Sequence, residues 1–382
     1  MNNQTKYNRL QDKIFGCVYG GAIGDAMGAP VEDMHYLDII DMYGRVEDLI
    51  PLTKLRFGGR PPYEISHHFL FEAREGYLHE IDPTWHHSRE ILNNPFCGWS
   101  TKAGTYTDDM RYRVLAYQCF VQQGRPFTSY EFAEYLQNYW HESENTGHSM
   151  RREWARGFFN FNILTKIAVS GMPFYHPEIN VGWGTPGGMI HPGDPSAAAR
   201  DGSVLAAGIA EAMKPQATVD SVIGAILDHA YTIPSSKSTH LPFMSDEFLH
   251  RTNELLGLAQ KYDTVFDIIP AIYEKYLANY PPYDGLYMCE NIPVAIAMFF
   301  IAKGDLKLTI LGSANFGRDC DSIACIAGEL AGALNGIKSF PEQWIQCVHE
   351  ANAEFDLDEL SISLYRILAD RLDSYSSILN SL

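Results

Sequence analysis

Apolar positions recur at helical spacing along most of the chain. Near the N-terminus Ile14, Val18 and Ala22 follow one another every four residues, and glycines interleave with them. Glycine weakens a helix, so packing or ligand contact must compensate in this segment. The pattern therefore predicts a helix, or a helix followed by a loop, whose backbone another element or a ligand can approach closely.

Further helical patterns follow, and sustained alternation with a period of two, which would indicate strands, is absent. No internal repeat of roughly 20–50 residues stands out. The fold class predicted from these patterns is all-α: a compact assembly of ten or more helices whose long loops gather at one end. The predicted segments are 111–122, 129–140, 197–213, 218–231, 246–261, 264–279, 291–303, 305–315, 322–336 and 355–380.

Two stretches interrupt the helical pattern. Residues 33–104 are rich in proline, glycine, histidine and aromatic residues, which indicates irregular structure with short helices. Residues 180–195 carry five glycines and three prolines and are predicted to be a loop. We expect residues 1–382 to form a single domain, with an insertion or lid at about 33–104 that flanks the substrate cleft.

Composition narrows the classes of partner. The formal charge of −18 and the lack of a basic stripe disfavour a nucleic-acid duplex as ligand. The 7 cysteines form no C-x-x-C pair, which suits reduced thiols in a reducing compartment. Neither a signal peptide at the N-terminus nor an uncharged apolar run of ~18 residues is apparent. We therefore expect a soluble cytoplasmic protein without a membrane partner.

Carboxylates are crowded at three places, and two of these directly precede a helical pattern. Capping of the helix N-terminus, the simplest explanation, accounts for one acidic residue per helix but not for two. The helix predicted after position 322 is apolar on nearly every face, so its N-terminus is expected to be buried or in a cleft. The three stretches are GDAMGAPVE, with Asp25 and Glu32; GTYTDDM, with Thr107, Asp108 and Asp109; and GRDCDS, with Asp319, Asp321 and Ser322.

Like charges confined in a cleft raise one another's pKa unless cations neutralise them. Carboxylates and hydroxyls without a histidine or cysteine motif beside them are hard oxygen ligands, which select Mg²⁺, Mn²⁺ or Ca²⁺ over Zn²⁺. Four negative charges match two divalent ions, which in such centres lie ~3.5–4 Å apart. We therefore predict that residues 319–322 form half of a metal site that residues 107–109 complete.

The same three stretches resemble the motifs of the ADP-ribosylglycohydrolase family: G-D-A-x-G-x-P-x-E, T-D-D, and the long C-terminal pattern that here reads GRDCDSIACIAGELAGA. The resemblance implies an all-α fold that binds two Mg²⁺ ions, with Mn²⁺ as the alternative metal. It also implies an acid/base or metal-gating role for Glu32. Met110, Cys320 and Arg318 depart from the usual residues, Arg318 standing where glycine is frequent. The metal ligands that the resemblance implies are Thr107, Asp108, Asp109, Asp319, Asp321 and Ser322.

The resemblance also implies the reaction, which is hydrolysis of the glycosidic bond between C1 of the distal ribose of ADP-ribose and an acceptor. Asp108 or Glu32 is the candidate base that activates water. The loop GWGTPGG looks like the family's phosphate or ribose loop, so the amides of Gly182 and Gly184 are candidates for holding the diphosphate. Trp183 is a candidate for stacking on adenine.

Several alternatives stay open from the sequence. The substrate is an ADP-ribosylated protein or a small ADP-ribosyl compound, and the acceptor is an arginine, a serine, a nucleobase or a small molecule. A non-catalytic ADP-ribose binder or a crystallin-like structural relative could share the fold. A phosphohydrolase with two metal ions would also use oxygen ligands. Release of ADP-ribose, instead of phosphate or AMP, distinguishes the proposed reaction from these, while the oligomeric state is open.

Overall fold

A computed structural model describes most of the N-terminal helix region and the C-terminal half of the chain. The side chains at 3–8, 108, 112, 195–203, 244–247, 288–289 and 381 are not among those described. The residues described are 3–32, 34–51, 102–125, 127, 131, 135, 138–139, 195–232, 244–277 and 288–381.

The fold in these residues is all-α, as predicted, and the described ranges contain no strand. A short 3₁₀ turn, Ala29–Val31, follows the first helix. An isolated antiparallel bridge joins His35 to Gly317. The helices are α1 Asn3–Gly28, α2 Tyr36–Tyr43, α3 Asp108–Gln123, α4 Pro195–Ala212, α5 Val219–Thr232, α6 Met244–Ala259, α7 Ile268–Ile272, α8 Met288–Ile301, α9 Leu306–Ala314, α10 Cys320–Asn335, α11 Glu342–Ala351 and α12 Leu357–Ser381.

Most predicted helices agree with these bounds to within about three residues. The predicted segment 264–279 is a short α-helix that continues as a π-helical turn, Tyr273–Leu277. Helix α11 was not predicted, although Trp344, Val348 and Ala351 recur at helical spacing and are buried. Within the predicted insertion, α2 is one of the expected short helices, whereas residues 52–101 lie outside the described part of the chain.

Helices α1 and α10 pack with their backbones in direct contact. A Cβ atom added to Gly20 would lie 2.0 Å from the carbonyl oxygen of Gly328, and one added to Gly24 would lie 2.0 Å from that of Ala324. The helices are antiparallel, since later residues of α1 meet earlier residues of α10. The predicted close approach at the N-terminal glycines is confirmed, and the partner is another helix of the same chain.

This packing determines where two of the acidic stretches lie. At the C-terminal end of α1, a Cβ atom on Gly28 would lie 2.5 Å from the Cα atom of Asp321 in the first turn of α10. The 3₁₀ turn then places Glu32 directly after this contact. Glu32 of the first stretch and the acidic residues of the third are thus held at the same end of the helix pair.

One described helical segment, Arg9–Val31, is long and apolar enough to cross a membrane by length and composition alone. Its apolar window is 94% buried inside the molecule. This burial is what the packing of α1 against α10 requires, and it is the usual property of a core helix.

Within the predicted insertion, the chain on both sides of residues 52–101 contacts helix α11. On one side, Trp344 donates a hydrogen bond from Nε1 to Asp48 Oδ1, at 2.6 Å. On the other side, the Cys347 thiol contacts the carbonyl oxygen of Ala103 at 3.0 Å. Trp344 and Cys347 are one helical turn apart, so the chain leaves and re-enters the described structure along one side of α11.

Candidate metal centre

Helix α3 begins at a threonine that has two roles. Thr107 is the N-cap residue of α3, and its hydroxyl oxygen accepts a hydrogen bond from the amide of Asp109 at 3.4 Å. The same hydroxyl donates to Asp321 Oδ2 at 3.1 Å, across 214 positions of sequence. The predicted capping function is therefore present, and it coexists with a contact to the acidic start of α10.

A second contact joins the same two helix starts. The hydroxyl of Ser322 donates a hydrogen bond to Asp109 Oδ2 at 2.6 Å, across 213 positions of sequence. The structure thus brings together the two segments that the sequence analysis placed in one site. Their role as metal ligands stays a prediction.

Three carboxylates converge beside these contacts. Glu32, Asp319 and Asp321 each offer an oxygen atom, and these atoms all lie within 4.8 Å of one another. Asp319 occupies the N-cap position of α10 but makes no capping hydrogen bond with its side chain. Capping therefore does not explain Asp319, whereas a shared cation would explain the grouping.

Asp321 shows most directly that the residues fit a cation. One of its oxygens, Oδ2, accepts from Thr107, while Oδ1 is buried and has no hydrogen-bond partner among the described residues. The side chain is almost completely buried. An unpaired carboxylate oxygen in such a place is costly, and a divalent cation would satisfy it.

Asp25, from the first acidic stretch, serves a different purpose. Its two oxygens accept hydrogen bonds from the backbone amides of Thr107, at 2.7 Å, and Met110, at 2.9 Å. Burial, followed by the charge of Asp321, raises the pKa of this carboxyl to about 7. Asp25 therefore holds the start of α3 through two backbone amides, a role that the sequence analysis did not assign.

A buried ion pair ties α3 to α10 farther from the acidic residues. Arg113 Nη1 lies 2.8 Å from Glu329 Oε2, and the hydroxyl of Tyr117 donates to Glu329 Oε1 at 3.2 Å. Burial raises the pKa of Glu329 to about 7, although Arg113 and the hydrogen bonds act to lower it. This pair was also missed from the sequence, because its partners lie on segments far apart in the chain.

The departures from the family motifs leave the acidic group intact. Met110 is buried beneath the start of α3. Cys320 points toward α1, with its sulfur 3.4 Å from the carbonyl oxygen of Gly28. Arg318 has a positive φ of 59° and pairs with Glu290. Met110 and Cys320 stand where hydroxyl residues are usual in the family, but neither replaces one of the proposed ligands.

Four of the predicted site residues cannot be placed at the side-chain level. Asp108 is the first residue of α3, but its side chain is outside the described set. Gly182, Trp183 and Gly184 lie outside the described residues altogether. Their predicted roles stay predictions.

The acidic centre lies where two helix N-termini meet within an all-α fold, and its oxygen donors make it a candidate metal site. Comparison with known proteins identifies the class of protein. The family model described as ADP-ribosylglycohydrolase matches residues 6–376, nearly the whole chain. The chain belongs to the ADP-ribosylglycohydrolase family, whose members hydrolyse glycosidic bonds of ADP-ribose.

Individual relatives share limited sequence identity with this chain or match only part of it. An uncharacterized protein of Archaeoglobus fulgidus is 24% identical over 384 residues, covering 94% of this chain and 97% of that protein. The human ADP-ribosylhydrolase ARH3 is 34% identical over 94 residues, which are 22% of this chain and 25% of its own length. A solved structure named ADP-ribosylglycohydrolase-related protein complex covers 94% of this chain and 99% of its own, with 17% identity and a TM-score of 0.39.

Proposed function

We propose that this chain is a Mg²⁺-dependent hydrolase that cleaves the bond between C1 of the distal ribose of ADP-ribose and an acceptor on a protein or small molecule. The observation that carries the proposal is the convergence of Glu32, Asp319 and Asp321 beside the contacts between the two helix starts. The family supplies the reaction type, and the site supplies the means to perform it.

The donor set suits hard cations. The candidate ligands are oxygen atoms of carboxylates and hydroxyls, which favour Mg²⁺ or Mn²⁺. The number of carboxylates suits two ions, which would hold ribose hydroxyls and neutralise the acidic group. The ligands proposed are Thr107, Asp108, Asp109, Asp319, Asp321 and Ser322.

Glu32 and Asp108 are the candidates for the base. Glu32 is partly exposed and follows the 3₁₀ turn, so its carboxylate can contact both the acidic group and water. A carboxylate there would take a proton from the water whose oxygen bonds to C1, and the acceptor atom would take up a proton as its bond to C1 breaks. Asp321 is buried and bonded to Thr107, which suits a ligand better than a base.

The remaining parts of the proposal concern the substrate and its setting. The amides of Gly182 and Gly184 would hold the diphosphate, and Trp183 would stack on adenine. The acidic charge of the chain disfavours a nucleic-acid duplex as partner. A cytoplasmic location is part of the proposal, because an odd number of cysteines without a C-x-x-C pair suits a reducing compartment.

The test is a panel of ADP-ribosylated substrates, with arginine, serine, nucleobase and small-molecule acceptors, incubated with MgCl₂ or with EDTA. We expect free ADP-ribose from at least one substrate in MgCl₂ and none in EDTA. Release of phosphate or AMP would instead indicate a phosphohydrolase. Binding of ADP-ribose without cleavage of any substrate would indicate a non-catalytic relative and would overturn the proposal.

A further inference from the structure

Helix α8 contributes two consecutive residues to the turn that leads into α10. Glu290 forms a bidentate ion pair with Arg318, through Nε to Oε1 and through Nη2 to Oε2, the latter at 3.0 Å. Asn291 donates a hydrogen bond from Nδ2 to Asp319 Oδ2. Two neighbours on α8 thus pair with two neighbours in the turn, and all four side chains are buried.

The backbone of this turn explains why it needs such support. Gly317 and Arg318 both have positive φ angles, 74° and 59°, in the left-handed region that favours glycine. The amide of Arg318 also donates to the carbonyl oxygen of Met34 at 2.8 Å. Arg318 adopts this conformation although it carries a large side chain, and its guanidinium is held in the buried pair with Glu290.

The contact of Asn291 with Asp319 has a defined direction. A carboxylate offers only acceptors, so the amide must present its NH₂ group to it, and this contact restricts the rotation of the carboxylate. The other end of the amide, Oδ1, is buried and has no hydrogen-bond partner among the described residues. Asn291 is therefore a buried polar residue in an apolar helix whose described side-chain hydrogen bond is directed at one candidate metal ligand.

We propose that Asn291 is a positioning residue of the metal centre: it holds the Asp319 carboxylate in the orientation that binds the cation. The Glu290–Arg318 pair fixes the turn that carries Asp319. This inference rests on the proposed metal-dependent function. Partners that orient metal ligands in this way typically change metal affinity by ~10–100-fold when they are removed.

The experiment compares the Mn²⁺ affinity of the full chain with that of two variants, by electron paramagnetic resonance of free Mn²⁺. Asn291→Leu keeps a side chain branched at Cγ in an apolar helix and removes the donor. The matched control is Asn335→Ala at the opposite end of α10, where Nδ2 donates to the carbonyl oxygens of Gly304 and Ala331, both at 2.8 Å. We expect ~10-fold weaker Mn²⁺ binding for Asn291→Leu and unchanged binding for Asn335→Ala.

Two further readouts separate positioning from a general loss of stability. The melting temperature in EDTA shows whether Asn291→Leu folds, and Asn291→Ala serves in its place if it does not. The rate of ADP-ribose release by the variant should recover as the Mg²⁺ concentration is raised, which a misfolded enzyme would not do.

The outcomes are distinguishable. A folded Asn291→Leu variant with wild-type Mn²⁺ affinity would overturn the positioning role and leave the proposed function standing. Equal weakening in Asn335→Ala would overturn it as well, because the effect would not be local to Asp319. A wild-type chain that binds neither Mn²⁺ nor Mg²⁺ would overturn the metal-dependent function and this inference together.

Discussion

At the level of single residues, the buried carboxylates differ in what their oxygens contact. Both oxygens of Asp25 accept hydrogen bonds from backbone amides, so each oxygen of this carboxylate already has a partner within the protein. Asp321 has one oxygen bonded to Thr107 and one without a partner among the described residues. The same residue type thus serves as a support in one place and offers a free ligand atom in the other.

The first prediction concerns Asp321→Asn. A cation that binds only the folded chain stabilises it by ~2.7 kcal/mol at 100 times its Kd. The wild type should therefore melt at a higher temperature in MgCl₂ than in EDTA, whereas the variant should show a much smaller difference because it lacks a negative ligand. Thermal unfolding in both buffers measures this, and equal shifts for the two proteins would argue against a ligand role for Asp321.

The second prediction concerns the buried pair of Arg113 and Glu329. In Arg113→Met, the buried carboxylate loses its cation, which costs ~3–5 kcal/mol where that carboxylate is ionised. The folded pKa of Glu329 is raised to about 7 from 4.5, and without Arg113 it rises further. The folded variant therefore binds the Glu329 proton more tightly than the folded wild type does. The stability lost relative to the wild type should be small near pH 5, where Glu329 is protonated in both proteins, and should grow as the pH rises through 7.

Urea unfolding at pH 5 and pH 8 measures this difference. The control is Arg113→Met combined with Glu329→Gln, which removes both charges and should have similar stability at the two pH values, apart from the slope that other groups contribute. A single variant that loses equal stability at pH 5 and pH 8 would contradict the assignment of the effect to Glu329.

At the level of helices, the contact between α1 and α10 sets the geometry of the site. Gly→Ala substitutions in this contact have no room, since the nearest atoms are backbone atoms of the facing helix. Such a substitution forces the two helices apart, and the acidic groups at their common end move with them. The predicted effects therefore reach from the middle of the helix pair to the proposed metal centre.

The third prediction follows from this geometry. Gly20→Ala should lower the free energy of unfolding by ~1–3 kcal/mol, the usual cost of overpacking, despite the better helix propensity of alanine. Gly257→Ala is the matched control, because a Cβ atom there meets nothing within 4 Å. It should raise the stability by up to ~1 kcal/mol. Chemical denaturation of both variants gives the comparison, and a Gly20→Ala protein as stable as the control would rule out the backbone contact.

The sequence predicted some of these elements well and others poorly, for physical reasons. Helix α10 was predicted because it is apolar on nearly every face, and nearly all of it is buried. The meeting of Thr107 with Asp321 was expected from the shared chemistry of the two motifs. Asp25 and Asn291 could not be assigned, because their roles depend on which helices adjoin, and one-dimensional spacing does not contain that information.

At the level of the whole molecule, the site is assembled from distant parts of the chain, and the predicted insertion begins beside it, where His35 bridges to Gly317. Farther along the insertion, Asp48 and Ala103, on either side of residues 52–101, contact Trp344 and Cys347 on α11. After Ala103 the chain continues through Gly104, whose carbonyl oxygen accepts a hydrogen bond from Asn352 at 2.8 Å. It then reaches Thr107. A change between the two flanks therefore need not disturb the start of α3.

The fourth prediction is that a variant in which a short Gly-Ser linker replaces residues 52–101 folds and retains the difference in melting temperature between MgCl₂ and EDTA. Its preference among acceptors should change, because loops on a rigid scaffold commonly determine specificity. Assays with the substrate panel measure this preference. A folded variant with the substrate preference of the wild type would leave the segment without a role in specificity.

The glycine contact between α1 and α10 also constrains how the chain can change over generations. Gly20 faces Gly328, and Gly24 faces Ala324, so each position in one helix has its own counterpart in the other. A methyl group gained on either side meets backbone atoms of the facing helix, which no substitution there can remove. These positions are therefore expected to tolerate change only where the spacing of the two helices changes with it, and an exchange of either helix alone with that of a distant relative should misalign the acidic residues at their common end.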